Sequence, residues 1–230
     1  MAGVDVIRIE DVSLFRGLSK VELGWVSARL YCRRYPDSSM IITAQQPGEV
    51  VYIILSGSVK IHIEQTSGTD VILAILGPGD IVGEMSLLDS SGRSASVVTL
   101  EDSELIWMSA GVFQECLATI PTISQNLVRI LSARVRLANE LIQALATLDV
   151  HGRVARQMLA FAEKYGEASA DGHVLIPIRL TQSDVADLVG ASRKRVNQAM
   201  VTFKNQGYLR VDEQGRITVQ DRKALARLCQ

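Results

Sequence analysis

Between Ile41 and Met108, apolar residues gather in short runs separated by glycines at 48, 57, 68, 77 and 79. EVVYIILSG, SVKIHIEQ, VILAILGPGD and ASVVTLEDSELIWM are each rich in β-branched or aromatic residues, and SVKIHIE alternates apolar with polar. Runs of this length between glycine turns predict a β sandwich or barrel. Helical spacing precedes it at 19–30 (SKVELGWVSARL) and follows it at 109–120 (SAGVFQECLATI). A long helix is predicted from Pro121, a favourable first-turn residue. Along it, positions 127, 131, 134, 138, 141, 145 and 148 are Leu, Leu, Arg, Ala, Leu, Leu and Leu. That alternation of four and three predicts a seam between two parallel copies, the alternative being a helix packed on its own domain. Arg134 interrupts the stripe and requires either the helix surface or a partner.

Beyond Leu148 the pattern changes. GRVARQMLAFAEKYG is amphipathic at helical spacing, GEASADG (166–172) reads as a loop, and YLRVDEQGRITVQD reads as two short strands about a Glu-Gln-Gly turn. Between them, Thr181 followed by Asp184 predicts a helix N-cap with an acidic first turn. Val185, Leu188 and Val189 face inward, Gly190 ends the helix, and Ser192 caps the next. On that second helix Val196, Ala199, Met200 and Phe203 form the buried face, while Arg193, Lys194, Asn197, Gln198 and Val201 project elsewhere. Two helices across so tight a turn predict a helix-turn-helix, with the strand pair at 208–220 as its wing. Arg and Lys match guanine edges and Asn and Gln match adenine, whereas Arg195 and Thr181 are placed for phosphate. A merely solvated polar face is the bland alternative. The cap, glycine stop, short turn and wing occurring together weigh against it.

Composition narrows the class. The 230 residues are 47% hydrophobic, enough for ordinary cores in one large or two small domains. The apolar run Val50–Leu55 is far short of a bilayer span, and the charged start MAGVDVIRIED lacks a signal-peptide core. The expectation is a cytoplasmic protein without membrane partners. Cys32, Cys116 and Cys229 are odd in number and scattered, as are His62, His151 and His173, so no disulfide framework or metal site is expected. The net charge of −1 hides an asymmetry: residues 149–230 carry 13 basic against 9 acidic groups, and residues 1–148 carry 11 against 16. A basic C-terminal part suits a polyanion, although ordinary variation in surface charge gives the same balance. No paired carboxylates, nucleophile–base set or metal ligands point to an enzyme, and no catalytic residues are assigned.

The stretch GEMSLLDSSGRSASV (83–97) places Glu84 and Arg93 among small residues. A surface ion pair worth about 0–1 kcal/mol would not need them. A site enclosing a small anion would, because guanidinium offers paired, charge-assisted donors and glycine allows close backbone approach.

With LGPGDIVGEMSLLDSSGRSASV, the hinge LDVHGRVA (148–155) and LTQSDVADLVGASRKRV in this order, nearly the whole chain resembles the Crp–Fnr family of bacterial transcription regulators. The resemblance implies an α+β protein in three parts. Residues 1–120 would be a cyclic-nucleotide-binding, jelly-roll-like β-roll with flanking helices. Residues 121–148 would be a dimerisation helix, and 149–230 a winged helix-turn-helix. It implies that Glu84 accepts from a ribose 2′-hydroxyl, Gly83 offers backbone at the sugar, and Arg93 with Ser94 binds the cyclic phosphate. Met85, Ser86 and Ala95 complete that cassette. Members selective for cyclic AMP meet adenine with Thr then Ser on the dimer helix, where this chain has Ala138 and Asn139. Asn139 can still donate and accept, and the expected effector is cyclic AMP first and cyclic GMP second. DNA contacts are expected from Thr181, Gln182, Ser192, Arg193, Lys194, Arg195, Asn197 and Gln198. The implied partners are duplex promoter DNA, a second copy of the chain and, for an activator, RNA polymerase through the 166–173 loop. Two alternatives remain: the same architecture answering another effector or none, and a nucleotide-binding module that docks protein instead of DNA. The oxygen sensors' N-terminal cysteine cluster is absent, so no iron–sulfur cluster is expected, and no heme-ligand pattern is evident.

Overall fold

The computed structural model describes residues 9–64, 70–89, 91–213 and 215–229. Residues 1–8, 65–69, 90, 214 and 230 lie outside the described residues, and with them Ser90 of the 83–97 stretch and Gln214 of the expected Glu-Gln-Gly turn. The chain forms two compact units, one of residues 1–63 with 74–135 and the other of 64–73 with 136–230.

In the first unit, Ser19 caps α1 (Lys20–Ser27) through a reciprocal pair of bonds with Glu22. The strands that follow are β1 (Tyr31–Tyr35), β2 (Met40–Ile42), β3 (Val50–Ser56), β4 (Val59–Glu64), β5 (Asp70–Leu76) and β6 (Ile81–Val82). After α2 (Met85–Leu88) come β7 (Ser96–Thr99), β8 (Ser103–Ser109), α3 (Ala110–Thr119) and α4 (Pro121–Thr147), with residues 64 and 70–73 of β4 and β5 and 136–147 of α4 counted in the second unit. Two four-stranded sheets form, ordered β1-β8-β3-β6 and β2-β7-β4-β5. The expected β-roll is present. The sequence pattern joins β7 to β8 in one run and does not mark β1 or β2.

Period-two alternation on β3 decides where its side chains go. Val51 and Ile53 face the helices, where they pack in one core with Leu23, Phe113, Ile123 and Leu127. Ile54 enters a second core between the sheets, with Ile42 of β2, Val59 of β4, Val97 of β7 and Leu105 of β8. The antiparallel register Val51↔Met108 and Ile53↔Ile106 keeps both faces consistent.

The long helix corrects the expected stripe at Leu127 and Arg134. Leu127 is only 4% exposed and sits in the helix-side core, with Leu131 packed against it and Arg134 turned to Glu84. Buried Asn126 fixes this face: its Nδ2 donates to Leu14 O at 3.1 Å and to Arg16 O at 2.8 Å. The 127-131-134 face is therefore used within its own unit, the alternative the spacing left open. The outward residues lie one position further on: Val128, Val135 and Ile142 are 63%, 60% and 64% exposed. With Leu131, Ala138 and Leu145 they make a three-four alternation that is apolar throughout.

In the second unit, Asp149 caps α5 (Val150–Tyr165), accepting from Gly152 N at 2.8 Å. There follow β9 (Glu167–Ala168), β10 (Val174–Ile176), α6 (Gln182–Val189), α7 (Arg193–Asn205), β11 (Leu209–Val211), β12 (Ile217–Val219) and α8 (Arg222–Arg227). The wing is a four-stranded sheet, β11-β12-β10-β9, where the sequence predicts only the β11–β12 hairpin. Strands of two or three residues are too short to show a period. Val154, Met158, Val189, Val196, Phe203 and Leu225 fill the core.

Leu127→Ala should lower stability by about 2–5 kcal/mol, the usual result of emptying a filled core site. Urea unfolding of the variant beside the wild type measures it. A loss below about half a kcal/mol, the range of ordinary surface substitutions, would return Leu127 to the outward face.

Candidate nucleotide cradle and nucleic-acid interface

The cradle is built where β6 runs into α2. Gly83 holds φ +85°, a conformation that strains any side chain, and a Cβ there would lie 2.5 Å from Arg93 Nη1. Glycine is thus required twice over: by the turn and by the guanidinium resting on it. Arg93 Nη1 donates to Gly83 O at 2.6 Å and to Ser86 Oγ at 2.9 Å, and Nη2 donates to Val50 O at 2.7 Å. The side chain is 7% exposed. Burial lowers its pKa, an effect that Tyr52, Glu84 and Glu49 oppose. Tyr52 is pushed up to about 12 chiefly by burial, with Tyr35 adding to the rise and Arg93 drawing it back.

Glu84 stands at the N-cap of α2 yet does not cap it. Its carboxylate is 2% exposed and accepts from Arg134 Nη1 at 2.6 Å, while Arg134 Nη2 donates to Ile81 O. So the two charged residues singled out in 83–97 are both buried, and neither forms the surface pair that would have been the bland explanation. Two guanidinium groups, Arg93 and Arg134, gather here with the carboxylate of Glu84, and Glu49 also acts on Arg93. The bonds from Arg93 run to neutral oxygens, and the carboxylates of Glu84 and Glu49 act on its charge through space. Arg134 Nε is also buried with no hydrogen-bond partner among the described residues. An unmet buried donor beside two guanidinium groups fits a monoanion that brings acceptor oxygens.

Of the other residues expected here, Ser86 and Ala95 are buried, Met85 and Ser94 are exposed, and Asn139 is exposed on α4. Sequence reading missed Arg134 as a site residue. The signal was present: an arginine in an apolar stripe is costly unless paired.

The second assembly is the helix pair α6 and α7. Thr181 Oγ accepts from Asp184 N at 3.1 Å and donates to Asp184 Oδ2, and Thr181 N donates to the same carboxylate at 3.1 Å. Its hydroxyl proton is therefore committed to the cap. Gly190 ends α6 at φ +61°, ψ +49°, and Ser192 Oγ caps α7 by accepting from Arg195 N. Arg153 of α5 adds a tie not foreseen from the sequence: its Nη1 donates to Val189 O at 2.8 Å and Gly190 O at 3.2 Å, holding the turn from behind. Val196, Ala199, Met200 and Phe203 are buried as expected, and Arg193, Lys194, Arg195, Asn197 and Gln198 are exposed. Gln182, at the start of α6, donates from Nε2 to Asn197 Oδ1 at 2.9 Å. No acidic residue occurs on α7.

Comparison with known proteins places both assemblies. Residues 32–120 match the cyclic nucleotide-binding domain, and residues 152–228 match the Crp-like helix-turn-helix domain. The chain is 33% identical over 214 residues to the CRP-like cAMP-activated global transcriptional regulator of Mycobacterium tuberculosis, covering 93% of this chain and 95% of that one. This chain belongs to the Crp–Fnr family of transcription regulators. It is 30% identical to the cyclic AMP receptor protein of Thermus thermophilus, over 92% of this chain and 93% of that one. Among solved structures, FixK2 from Bradyrhizobium japonicum aligns with a TM-score of 0.75 at 20% identity, over 86% of this chain and 96% of that one. At that identity the likeness speaks for the fold alone. As a family member the chain is a DNA-binding transcription regulator, not an enzyme. Among the described residues no group of His, Cys, Asp or Glu is arranged to hold a metal, and no helix is long and apolar enough to cross a membrane.

Arg134→Ala should strand the Glu84 carboxylate away from water and cost about 3 kcal/mol. Glu84→Gln added to Arg134→Ala should recover part of that loss. Thermal unfolding of the two variants measures it, and equal stability of both would mean that the carboxylate does not depend on Arg134.

Proposed function

We propose that this regulator is a homodimer switched by a cyclic nucleotide, cyclic AMP in the first instance, which sets two helix-turn-helix domains for a palindromic promoter site. The observation that carries this reading is the bond between Arg134 of α4 and buried Glu84. An effector whose ribose hydroxyl donates to Glu84, and whose phosphate meets Arg93, changes the surroundings of the residue by which α4 is held. Ser94 and the backbone at Gly83 complete the phosphate and sugar contacts, and Met85, Ser86 and Ala95 shape the cassette. Asn139 meets the base edge. The M. tuberculosis relative is named as cAMP-activated, which supports the choice of nucleotide. Ala138 offers the base no hydrogen-bonding side chain, so cyclic GMP is the effector to compare.

The second copy joins along Val128, Leu131, Val135, Ala138, Ile142 and Leu145, whose spacing is that of a coiled-coil seam. A ligand moves such an equilibrium only by binding the DNA-competent state better than the other. In that state the two recognition helices would stand roughly 34 Å apart, one turn of duplex, and enter successive major grooves. Arg193 and Lys194 are the leading base contacts, with Gln198 next and Arg195 on phosphate. Ser192 and Thr181 offer caps at the helix starts that face the backbone. A protein that reads bacterial promoters works in the cytoplasm. If it activates, the exposed segment around Glu167–Asp171 is the candidate contact for RNA polymerase.

The test is calorimetry with cyclic AMP and cyclic GMP on the wild type and Arg93→Leu, with and without promoter duplex. Each charge-assisted bond to phosphate contributes about 1.5–3 kcal/mol, so the variant should bind at least tenfold more weakly. Duplex should tighten nucleotide binding by the same factor as nucleotide tightens duplex binding. Undiminished binding by Arg93→Leu removes Arg93 from the site, and equal affinity with and without duplex removes the switch.

On the DNA side, Arg193→Ala should cost about 1–3 kcal/mol and relax one base position. Competition binding against single-base variants of a bound site reads this directly. A uniform loss across sequences would make Arg193 a phosphate contact.

A further inference from the structure

We propose that Gln182 and Asn197 read DNA as one unit, with Gln182 a positioning residue that fixes which way the Asn197 amide faces. This rests on the DNA-reading function proposed above. Gln182 is the first residue of α6, and Asn197 lies in the second turn of α7. The two helices of the reader are therefore joined across their exposed side by one side-chain bond, Gln182 Nε2 to Asn197 Oδ1 at 2.9 Å. Exposed amides usually exchange such a bond for water at little cost. Here both backbones are fixed first. The Thr181–Asp184 cap sets the start of α6, and the Gly190 turn with the Ser192 cap sets the start of α7. The bond thus joins two anchored frames.

The consequence lies in the terminal torsion of asparagine. That torsion is broad and nearly two-fold, so a free Asn197 would offer oxygen and nitrogen in either order. With Gln182 presenting Nε2, as it does in this structure, Asn197 Oδ1 faces Gln182 and one order is selected. Oδ1 keeps a second lone pair and Nδ2 keeps both hydrogens, an acceptor beside a donor in one plane. Adenine presents the complement in the major groove, N6–H beside N7. Gln182 itself retains Oε1 and one Nε2 hydrogen, enough for a phosphate or water alongside. On this account Gln182 contributes to base choice without touching the base.

The experiment starts with full-length wild-type chain selecting from duplexes randomised over two half-sites, with saturating cyclic AMP and without nucleotide. Affinities for the enriched site and its single-base variants are then measured for Gln182→Ala, Asn197→Ala, the double variant and Gln182→Glu. Asn197→Ala should reduce discrimination for adenine at one base pair by roughly tenfold, as expected for one bidentate contact. Gln182→Ala should reduce it at the same pair, and the double variant should be no worse than Asn197→Ala. Gln182→Glu accepts from Nδ2 and turns the amide over, so its preferred base at that pair should move away from adenine, with cytosine N4–H the suited donor. A purely structural tie would leave these base ratios untouched and lower the thermal midpoint instead. Adenine discrimination that survives Gln182→Ala, or losses that add in the double variant, overturns the inference while leaving the DNA reading intact. A wild-type chain that enriches no sequence under either condition removes both.

Discussion

A carboxylate withdrawn from water must find a counter-charge, and for Glu84 that is Arg134. Much of the first unit's geometry agrees with that single pair. Arg134 reaches Glu84 only if its face of α4 is turned toward the β-roll, which also places Ile123, Leu127 and Leu131 against the helix-side core. Asn126 reinforces the same rotation through two backbone carbonyls of the N-terminal segment. Once that face is fixed, Val128 and Val135 point outward. The polar pair and the apolar packing are thus two expressions of one helix rotation. Removing either partner alone would leave a buried charge, although the intact pair is close to break-even against apolar residues of equal volume. What the pair adds is dependence: the hold on α4 runs through a group that another donor can claim.

Arg93 and Arg134 show how one side-chain type performs two tasks. Arg134 is charge-compensated and fixes position. Arg93 is bonded to Gly83 O, Val50 O and Ser86 Oγ, all neutral, so its geometry is fixed by bonds that are not ion pairs. A guanidinium held this way is pre-organised, its ordering already complete. Gly83 follows from the same need, since a Cβ there would lie against the guanidinium.

The sequence disclosed whatever is written in local chemistry. The Thr181 and Ser192 caps, the Gly190 stop and the buried face Val196-Ala199-Met200-Phe203 are all short-range patterns, and each was legible. The β-roll was legible as a set of glycine-bounded runs, but β1 and β2 were not. YCRRY is mostly exposed and MII is only three residues long, so neither carries a clear alternation. Leu127 and Arg134 face inward, and not outward as their spacing suggested, for a physical reason. α4 has apolar residues on two adjacent faces, and spacing alone cannot tell which of them meets its own domain. Asn126 and Arg134 decide it, through partners that are distant in the chain. Arg153 escaped notice likewise, because its acceptors are backbone carbonyls that leave no mark in composition.

The net charge of −1 would seem to argue against a reader of polyanions, and the resolution is one of length scale. At physiological salt the screening length is about 8 Å, so a phosphate responds to the charges in its immediate surroundings and little to the chain total. On α7 those charges are Arg193, Lys194, Arg195 and Lys204, with no carboxylate in the helix to offset them. The acid at the start of the reader, Asp184, is buried and committed to the Thr181 cap. Its charge also sits in the first turn of α6, where a negative group is favoured by the helix dipole. An acidic chain can therefore present a basic edge, because the charge that counts is the one carried locally by α7.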